Sequence, residues 1–365
     1  DPLWSRGLGD VYKRQLIIIT GVSLGIIWGA LPGLSTTMAM ALLIGFTSTM
    51  SQDVAICFML GVYTGSVFGG AISAILINIP GTPDAVPTMI EGHALAKKGE
   101  AGTALGTSIF GSFIGNWVGI LLLIFLMPFL IAVALKFKSW EMFLLSIIGI
   151  SVCGTMCSGE LPIKGWIVGF IGILIAMVGI DPIYGVERYT FDNPNLYDGF
   201  SYIPILIGLF GICEIIKTLP NENKSPIPKS IGKLFLPFSI LKKYVFTAFR
   251  SGLIGTFIGA LPGAGANVAS FLSYDIGRKQ ASAEERKKWG KGSYEAIVCA
   301  EVANNANIGG SMLPTLALGI PGNAAAAALL AALTMKNVVV GPTIEIDHPG
   351  SVSYTQLTLQ TKRIV

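Results

Sequence analysis

The sequence predicts an all-α protein that crosses a membrane several times. Hydrophobic residues make up 52% of the 365 residues and charged residues only 13%, with a mean hydropathy of +0.67. Soluble domains carry about a quarter charged residues, so this chain is too apolar for that class. The alternating segments that form membrane barrels are missing from the sequence, and the membrane segments are therefore expected to be helices.

Long apolar segments supply the predicted spans. A membrane helix needs about 20 apolar residues, and segments near or above that length occur at 101–135, 142–156, 166–180 and 202–216. Glycine and proline are frequent, with 45 and 19 residues. Membrane helices tolerate them where neighbouring helices satisfy the freed backbone groups. We therefore expect broken helices that pack closely.

Two glycine–proline motifs occur twice in the same order. GALPGLSTT at 29–37 precedes NIPGTPDA at 78–85, and GALPGAGAN at 259–267 precedes GIPGNAAA at 319–326. Proline removes a helical hydrogen bond, and glycine favours left-handed or extended backbone, so each motif is expected to interrupt a helix. Paired interruptions in corresponding halves are typical of transporter binding sites.

The repeated motifs divide the chain into related halves. Between them Gly69-Gly70 matches Gly309-Gly310, and three ordered matches over some 60 residues rarely arise by chance. Both ends look foreign to the rest and are interpreted as translated adaptor sequence on a fragment. The predicted organisation is an adaptor-derived segment at 1–15, repeat 1 at 16–100, helices of the first half at 101–216, a basic cytoplasmic linker at 217–245, repeat 2 at 246–341, a loop at 342–350 and a non-native tail at 351–365 that replaces further helices.

Charge gives the predicted topology. The basic segments 217–250 and 278–291 are expected in the cytoplasm by the positive-inside rule, and the acidic loop 181–198 suits the outer side. Positive charge flanks 246–273 on both sides, which a re-entrant hairpin explains and a single crossing does not. Both GALPG copies are therefore expected to be hairpin tips that enter from the cytoplasmic side. Inversion of the repeats is favoured by analogy alone.

Small polar residues at these tips and breaks are the candidate substrate- and ion-binding residues. The segments contain no lysine or arginine, so an anion would be held by backbone amides, hydroxyls and side-chain amides at the starts of half-helices. Unwound carbonyls there also suit sodium, the one bound ion expected. Close helix packing is the alternative role for the glycines. The candidates are Gly33, Ser35, Thr36, Thr37, Asn78, Gly81, Thr82, Gly263, Gly265, Asn267, Gly322 and Asn323.

Polar residues inside an apolar helix add to this site. Asn304 and Asn305 are assigned to the transport pathway, with interhelical bonding as the alternative. Asp84 and Glu301 are the ionisable residues nearest membrane depth and are candidates for ion coupling, unless they lie at the interface. His93, by contrast, sits in a polar segment and is expected to be solvated.

Other function classes fit the sequence less well. It has no Walker motif, and Gly263-x-Gly265 lacks the third glycine and the βαβ context of a dinucleotide loop. No nucleophile–base pair or mid-span pair of carboxylates is visible, so an enzyme is not expected. Juxtamembrane lysines are the ordinary explanation for the basic loops, and no nucleic-acid partner is expected. An intramembrane enzyme or a non-transporting scaffold subunit remains the competing reading.

Several long motifs together resemble one known family. GALPGLSTT, YTGSVFGGAISAILINIPGTP, EGHALAKKGEAGTALG, GIDPIYGVERYTF, GALPGAGANVASFLSYDIGRK and EVANNANIGGSMLPTLALGIPG occur in order between residues 16 and 350. In these motifs the sequence is similar to the large membrane subunit of the tripartite tricarboxylate transporters. Family members look longer, with further helices after position 349.

The resemblance implies a multi-pass carrier of the bacterial inner membrane. Its partners would be a small membrane subunit and a periplasmic solute-binding protein that delivers citrate or another carboxylate, with uptake driven by a sodium or proton gradient. It also implies an ion-transporter-like fold of inverted repeats, whose hairpin tips hold substrate and sodium. A carrier of the tripartite ATP-independent periplasmic type, specific for another anion, is the alternative within transport.

Overall fold

The computed structural model describes residues 3–136, 162–181, 185–200 and 242–344, with isolated residues within 138–147 and 205–234. The predicted spans at 142–156 and 202–216, the linker and the tail lie wholly or mostly outside the described residues. Within them the fold is almost entirely helical, as predicted. Its strands, β1 (Gly179–Ile180) and β2 (Glu187–Arg188), form one short antiparallel pair.

The first half contributes six described helices. A short 3-10 helix at Ile44–Thr49 follows the second of them, and another at Pro83–Ala85 precedes the fourth. The helices are α1 (Leu3–Ala30), α2 (Thr36–Leu43), α3 (Gln52–Ile77), α4 (Val86–Lys97), α5 (Ala101–Ala134) and α6 (Pro162–Ala176).

The second half contributes five described helices in a similar order. They are α7 (Val245–Ala260), α8 (Gly265–Gln280), α9 (Ala283–Arg286), α10 (Tyr294–Leu318) and α11 (Ala324–Met335). By length and composition, α3 and α5 of the first half could each cross a membrane, and several other apolar helices are shorter. The predicted span at 101–135 corresponds to α5.

Helix α10 lies at the centre of the described structure. Every residue from Glu295 to Ala317 is buried, and α10 packs against α5, α7 and α8. Close approach depends on glycine: a Cβ placed on Gly310 would overlap the carbonyl oxygen of Thr256 in α7, and one on Gly255 would overlap that of Ala303. Packing is therefore the role of these glycines.

The same kind of contact joins α1 and α3. A Cβ on Gly29 would overlap the carbonyl oxygen of Ser66, and a Cβ on Gly65 would overlap that of Val22. We call α1–α2 and α7–α8 the hairpins of the two halves. Each hairpin thus lies directly against the long helix that follows it, α3 or α10. The expectation that His93 is solvated is wrong, because α4 continues through this residue and buries it, with Nδ1 at 3.1 Å from the Ile75 carbonyl oxygen.

Candidate functional site

The two GALPG motifs form the same turn. The segments 31–37 and 261–267, called here the first and second tip, each contain a glycine with left-handed backbone, Gly33 at φ 86° and Gly263 at φ 82°. The amide of Leu31 donates to Trp28 O at 3.1 Å, and the amide of Leu261 donates to Ile258 O at 3.1 Å. Positive φ is strained for residues that carry a Cβ, which explains glycine at both positions.

The second motif of each pair ends a helix, as predicted. The segments 78–85 and 319–326 are called here the first and second break. Helix α3 ends at Asn78 with φ 56°, and α10 ends at Gly319 with φ 70°. Proline follows two residues later in each case and cannot continue the helical ladder. Each break is followed by a new helix, α4 or α11.

Each tip lies against the break of its own half. A Cβ on Gly81 would overlap the Gly29 carbonyl oxygen, just before the first tip. In the second half the Gly263 amide donates to Gly322 O at 2.8 Å, and a Cβ on Gly322 would lie 2.6 Å from Ser311 Cα. Glycine at these positions allows the two backbones to meet, which is a packing role. From the sequence alone, both packing and binding were possible roles for these glycines.

The two halves also contact each other at the breaks. Helix α8 packs against the short helix at Pro83–Ala85, where Ser270 Oγ donates to the Asp84 carbonyl oxygen at 2.8 Å. Helix α11 packs against α2 and α3. The structure therefore joins the hairpin of each half to the break of the other.

Buried carboxyl and amide groups surround the first break. Asn304 Nδ2 donates to Asp84 Oδ2 at 3.2 Å, and Asn305 Nδ2 lies 2.8 Å from Asn304 Oδ1. Asn305 Nδ2 also lies 2.9 Å from Ser112 Oγ on α5, which in turn donates to Glu301 Oε2 at 3.2 Å. Both carboxyl groups are buried, Asp84 at 4% exposure and Glu301 at 0%. Both groups are therefore shielded from solvent by the protein itself.

Two further residues complete this cluster. Thr88 Oγ1 on α4 donates to Glu301 Oε1 at 2.5 Å, and Asn116 Nδ2 on α5 donates to Asn305 Oδ1 at 3.1 Å. An unbroken chain of hydrogen bonds links the two carboxyl groups. The residues that form this cluster lie on α4, α5 and α10 and in the 3-10 helix at Pro83–Ala85. We call the set the carboxylate network: Asp84, Thr88, Ser112, Asn116, Glu301, Asn304 and Asn305.

The second break is surrounded by neutral groups. Asn323 Oδ1 accepts from the Ala326 amide at 2.9 Å and so caps α11. Its Nδ2 donates to Tyr63 OH on α3 at 2.8 Å and to Asn307 Oδ1 on α10 at 3.1 Å. Tyr63 OH lies 3.4 Å from Ser311 Oγ. Tyr63, Asn307, Ser311 and Asn323 are called the neutral network.

The remaining predicted residues belong to neither network. Ser35 Oγ accepts from the Met38 amide at 3.2 Å and caps α2. Thr36 and Thr82 are buried beside the first tip and first break, and Thr37 and Gly265 are partly exposed. Asn78 and Asn267 are exposed and are not part of either network. The motifs therefore predict the backbone at Asn78 and Asn267, but the side chains of these residues do not meet at a shared site.

Sequence reasoning missed several members of the networks. Tyr63, Thr88, Ser112 and Asn116 lie outside the repeated motifs, in otherwise ordinary helical sequence, so only tertiary packing brings them to the breaks. A partial signal was present on α5, where Ser108, Ser112 and Asn116 recur every fourth residue and so share one helix face.

Another buried carboxylate joins the halves away from the breaks. Glu91 on α4 is fully buried and accepts from Tyr274 OH on α8 at 2.7 Å. The amides of Gly290, Gly292 and Ser293 donate to the same carboxylate at 2.6, 3.0 and 2.9 Å. Four donors stabilise a buried negative charge, which makes this a structural contact that holds α4 to the start of α10.

Comparison with known proteins gives one family. The model of the tripartite tricarboxylate transporter TctA family matches residues 16–360. An uncharacterized 52.8 kDa protein in the TAR-I ttuC' 3'region of Agrobacterium vitis is 35% identical over 332 residues, covering 90% of this chain. An uncharacterized protein in the TAR-II ttuC' 3'region of the same organism is 33% identical over 96 residues, which cover 26% of this chain and 39% of that protein. The chain spans 65% of the length of the first relative. No solved structure matches.

Proposed function

Because this chain belongs to the tripartite tricarboxylate transporter TctA family, we propose that it is the membrane-embedded carrier subunit of a secondary transporter. The carrier imports a tricarboxylate or a related small organic anion across the bacterial inner membrane, using a sodium or proton gradient. It works with a small membrane subunit and a periplasmic solute-binding protein that delivers the anion.

The observation that carries this proposal is the pair of broken helices, each closed by a hairpin tip of its own half. Non-helical backbone at membrane depth is tolerated only where protein or a water-filled cavity surrounds it. Here both breaks are covered by a tip and by a helix of the other half. Broken helices of this kind place backbone dipoles at the substrate and ion sites of secondary transporters.

Contacts between α3 and α10 support inverted repeats. Tyr63, near the middle of α3, lies close to Ser311 in the second half of α10. Gly70, about two turns further along α3, lies against Thr82, two residues before Asp84, and Asp84 contacts Asn304, nearer the start of α10. These contacts are those of two antiparallel helices, which is the arrangement expected of inverted repeats. In an inverted arrangement the first hairpin would enter from the periplasmic side, whereas charge alone predicts cytoplasmic entry for both tips.

Electrostatics favours the second break as the substrate site. A carboxylate placed at the first break would lie beside Asp84 and be repelled by it. The second break has neutral side chains, and Gly263, Gly265 and Asn323 are partly exposed there. The helices α8 and α11 begin here, with Gly265 facing Asn323, and the first amides of a helix have no intrahelical partner. Two helix starts thus offer donors and positive dipole ends to one anion.

Reconstitution tests the carrier proposal. The chain is placed in liposomes with its small membrane subunit, the solute-binding protein is added outside, and uptake of radiolabelled citrate and of two smaller dicarboxylates is measured with a sodium or a pH gradient. We expect gradient-dependent uptake of at least one of these anions that requires the binding protein. Absence of uptake for every anion, with all three proteins folded, would contradict the carrier function.

Two variants at one position locate the substrate. Asn323→Ala removes the cap of α11 and the side-chain amide, whereas Asn323→Ser keeps a capping hydroxyl and removes only the amide. If the amide orients the anion, both variants raise the concentration needed for half-maximal uptake, by about tenfold for a lost hydrogen bond to a charged group. Unchanged concentration dependence in Asn323→Ser would exclude the side chain from the substrate site.

A further inference from the structure

We propose that Glu301 binds the coupling proton, so that the carrier proposed above is driven by a proton gradient. The proposal names the coupling ion and its site, and it rests on the proposed carrier function. It is drawn from the hydrogen bonds of Glu301, from its lack of a basic partner among the described residues, and from an unused hydroxyl beside it.

Glu301 has no positive charge to balance it. Its carboxyl group is fully buried in the middle of α10. Its side-chain partners are the hydroxyls of Thr88 and Ser112, and the ion pairs found among the described residues do not involve it. The charged group that acts on it through space is Asp84, another carboxylate. Burial of an ionised carboxyl group without a cationic partner is costly, and a bound proton would remove the charge.

A hydroxyl is in place to receive that proton's hydrogen bond. Ser108 lies one turn before Ser112 on the same face of α5, and Glu301 packs against this part of α5, where a Cβ on Gly111 would lie 2.8 Å from Glu301 Cβ. Ser108 Oγ is fully buried and makes no hydrogen bond to any residue that the structure describes. A protonated carboxyl group has one O–H donor. The Ser108 hydroxyl oxygen is therefore available to accept from the O–H of protonated Glu301.

The other carboxyl group is better suited to remain ionised. Asp84 accepts from Asn304 Nδ2 at 3.2 Å and lies in the first turn of the short 3-10 helix that leads into α4. The start of a helix stabilises a negative charge. Glu301 lacks this help, because it lies in the interior of α10. Asp84 thus accounts for one negative charge in the carboxylate network, and Glu301 changes between charged and neutral forms.

The proposed step transfers only a proton. Water on the outer side supplies H⁺ to a Glu301 carboxylate oxygen, the resulting O–H donates to Ser108 Oγ, and the proton returns to water on the inner side after the carrier changes conformation. Thr88 and Ser112 donate to the ionised carboxylate and hold it in place. Protonation removes the net charge that would oppose moving this group across the membrane.

Infrared difference spectroscopy tests the site without requiring transport. The chain in nanodiscs is titrated with acid and base, and the C=O stretch of protonated carboxylic acids is recorded in the wild type, Glu301→Gln, Ser108→Ala and Asp84→Asn. We expect a carboxylic-acid band that titrates in the wild type and in Asp84→Asn, is missing in Glu301→Gln and shifts in frequency in Ser108→Ala. Ser108→Ala retains the carboxyl group and serves if Glu301→Gln fails to fold.

Three results would overturn the proposal. The titrating band could persist in Glu301→Gln, it could be unchanged in Ser108→Ala, or added sodium chloride could abolish it at constant pH where potassium chloride does not, which would assign the site to sodium. A wild type that shows the band but takes up no anion separates the outcomes, since the carrier function then fails while proton binding stands. If uptake occurs and a pH gradient does not accelerate it, the coupling role is wrong.

Discussion

The two helix breaks share a backbone and differ in side chains. Both begin with a residue of left-handed φ, both contain Pro–Gly, and both lie against a hairpin tip with the same turn. Around the first break the side chains form a buried network that contains Asp84 and Glu301, whereas the second break is surrounded by Tyr63, Asn307 and Asn323. Thr82 and Asn323 occupy matching positions with different partners.

This difference shows that one backbone motif, the frame shared by both breaks, can be surrounded by unlike side chains. The backbone motif interrupts the helix and creates two helix ends. The amino-terminal end of a helix favours an anion, and the carboxyl-terminal end favours a cation. Side chains from neighbouring helices then set the charge of each site. We propose that the first break handles the coupling cation and the second break the anionic substrate, and each prediction below separates the shared frame from the unlike side chains.

The largest effect is expected from the frame itself. Gly81→Ala places a Cβ into the Gly29 carbonyl oxygen, and Gly322→Ala places one 2.6 Å from Ser311 Cα. Because backbone atoms must shift in both cases, we expect losses of about 3 kcal/mol at the first break and about 2 kcal/mol at the second. Thermal unfolding in detergent measures both losses and shows whether the loss in Gly81→Ala is the larger.

Gly172→Ala is the control for these two variants. A Cβ there meets nothing within 4 Å, and the residue lies inside α6. Alanine is the better helix former, so stability should stay the same or rise by roughly 0.5–1 kcal/mol. If Gly81→Ala behaves like Gly172→Ala, the close contact of tip and break is wrong.

A smaller effect is expected within the carboxylate network. Asn305→Ala removes the donor to Ser112 and Asn304 and the acceptor of Asn116, and leaves buried polar atoms without partners. We expect a loss of about 2 kcal/mol by the same unfolding measurement. Asn267→Ala, at an exposed position, should change stability by less than about 0.5 kcal/mol. Equal effects at the two positions would show that the network does not stabilise the fold.

The neutral network should respond more weakly. Tyr63→Phe keeps the ring and removes a hydroxyl that bonds Asn323 and approaches Ser311. We expect a loss of about 1 kcal/mol, because one side-chain amide loses a partner. The pH dependence of uptake should stay that of the wild type. A changed pH dependence in Tyr63→Phe would contradict the assignment of the coupling cation to the first break alone.

The smallest effect concerns the base of the second hairpin, where no break is involved. Lys243 and Lys288 lie 2.5 and 3.0 Å from Glu285 Oε1. Burial would raise the pKa of Glu285, but the hydrogen bonds from the two lysines outweigh it and hold this pKa below its ordinary value. The group therefore stabilises the fold above its unfolded pKa, and the stability is lost as pH falls through the folded pKa.

Both lysines are half exposed, so the contribution of this ion pair should be about 0.5 kcal/mol. Glu285→Gln should remove it and flatten the acid side of the stability profile, while uptake at neutral pH remains unchanged. An unfolding profile in Glu285→Gln that still falls with acid as steeply as in the wild type would contradict the role of this pair.

The sequence predicted the breaks well, because glycine and proline act on the backbone locally. Left-handed φ at Gly33 and Gly263 and the helix ends at Asn78 and Gly319 follow from residue type and position. The span predicted at 101–135 agrees with α5 to within one residue. Local chemistry was sufficient for these features.

Side-chain partners could not be predicted in the same way. Glu301 meets Thr88 and Ser112, which lie about 200 residues away in the chain, and the sequence could not decide whether Glu301 was buried or interfacial. Asn267 belongs to a tip motif and is nevertheless exposed, since helical phase directs the side chain. The predicted solvation of His93 was wrong because its polar segment is helical and is not a loop.

The most direct test compares Glu301→Gln with Asn323→Ser in the same liposomes, for citrate or whichever anion the wild type takes up. Uptake driven by a pH gradient and exchange without a gradient are measured as functions of anion concentration. We predict that Glu301→Gln loses the acceleration by the pH gradient and still exchanges anion, while Asn323→Ser keeps the acceleration and needs about tenfold more anion in both assays. Loss of anion affinity in Glu301→Gln with intact pH response, or the same defect in both variants, would contradict separate sites at the two breaks.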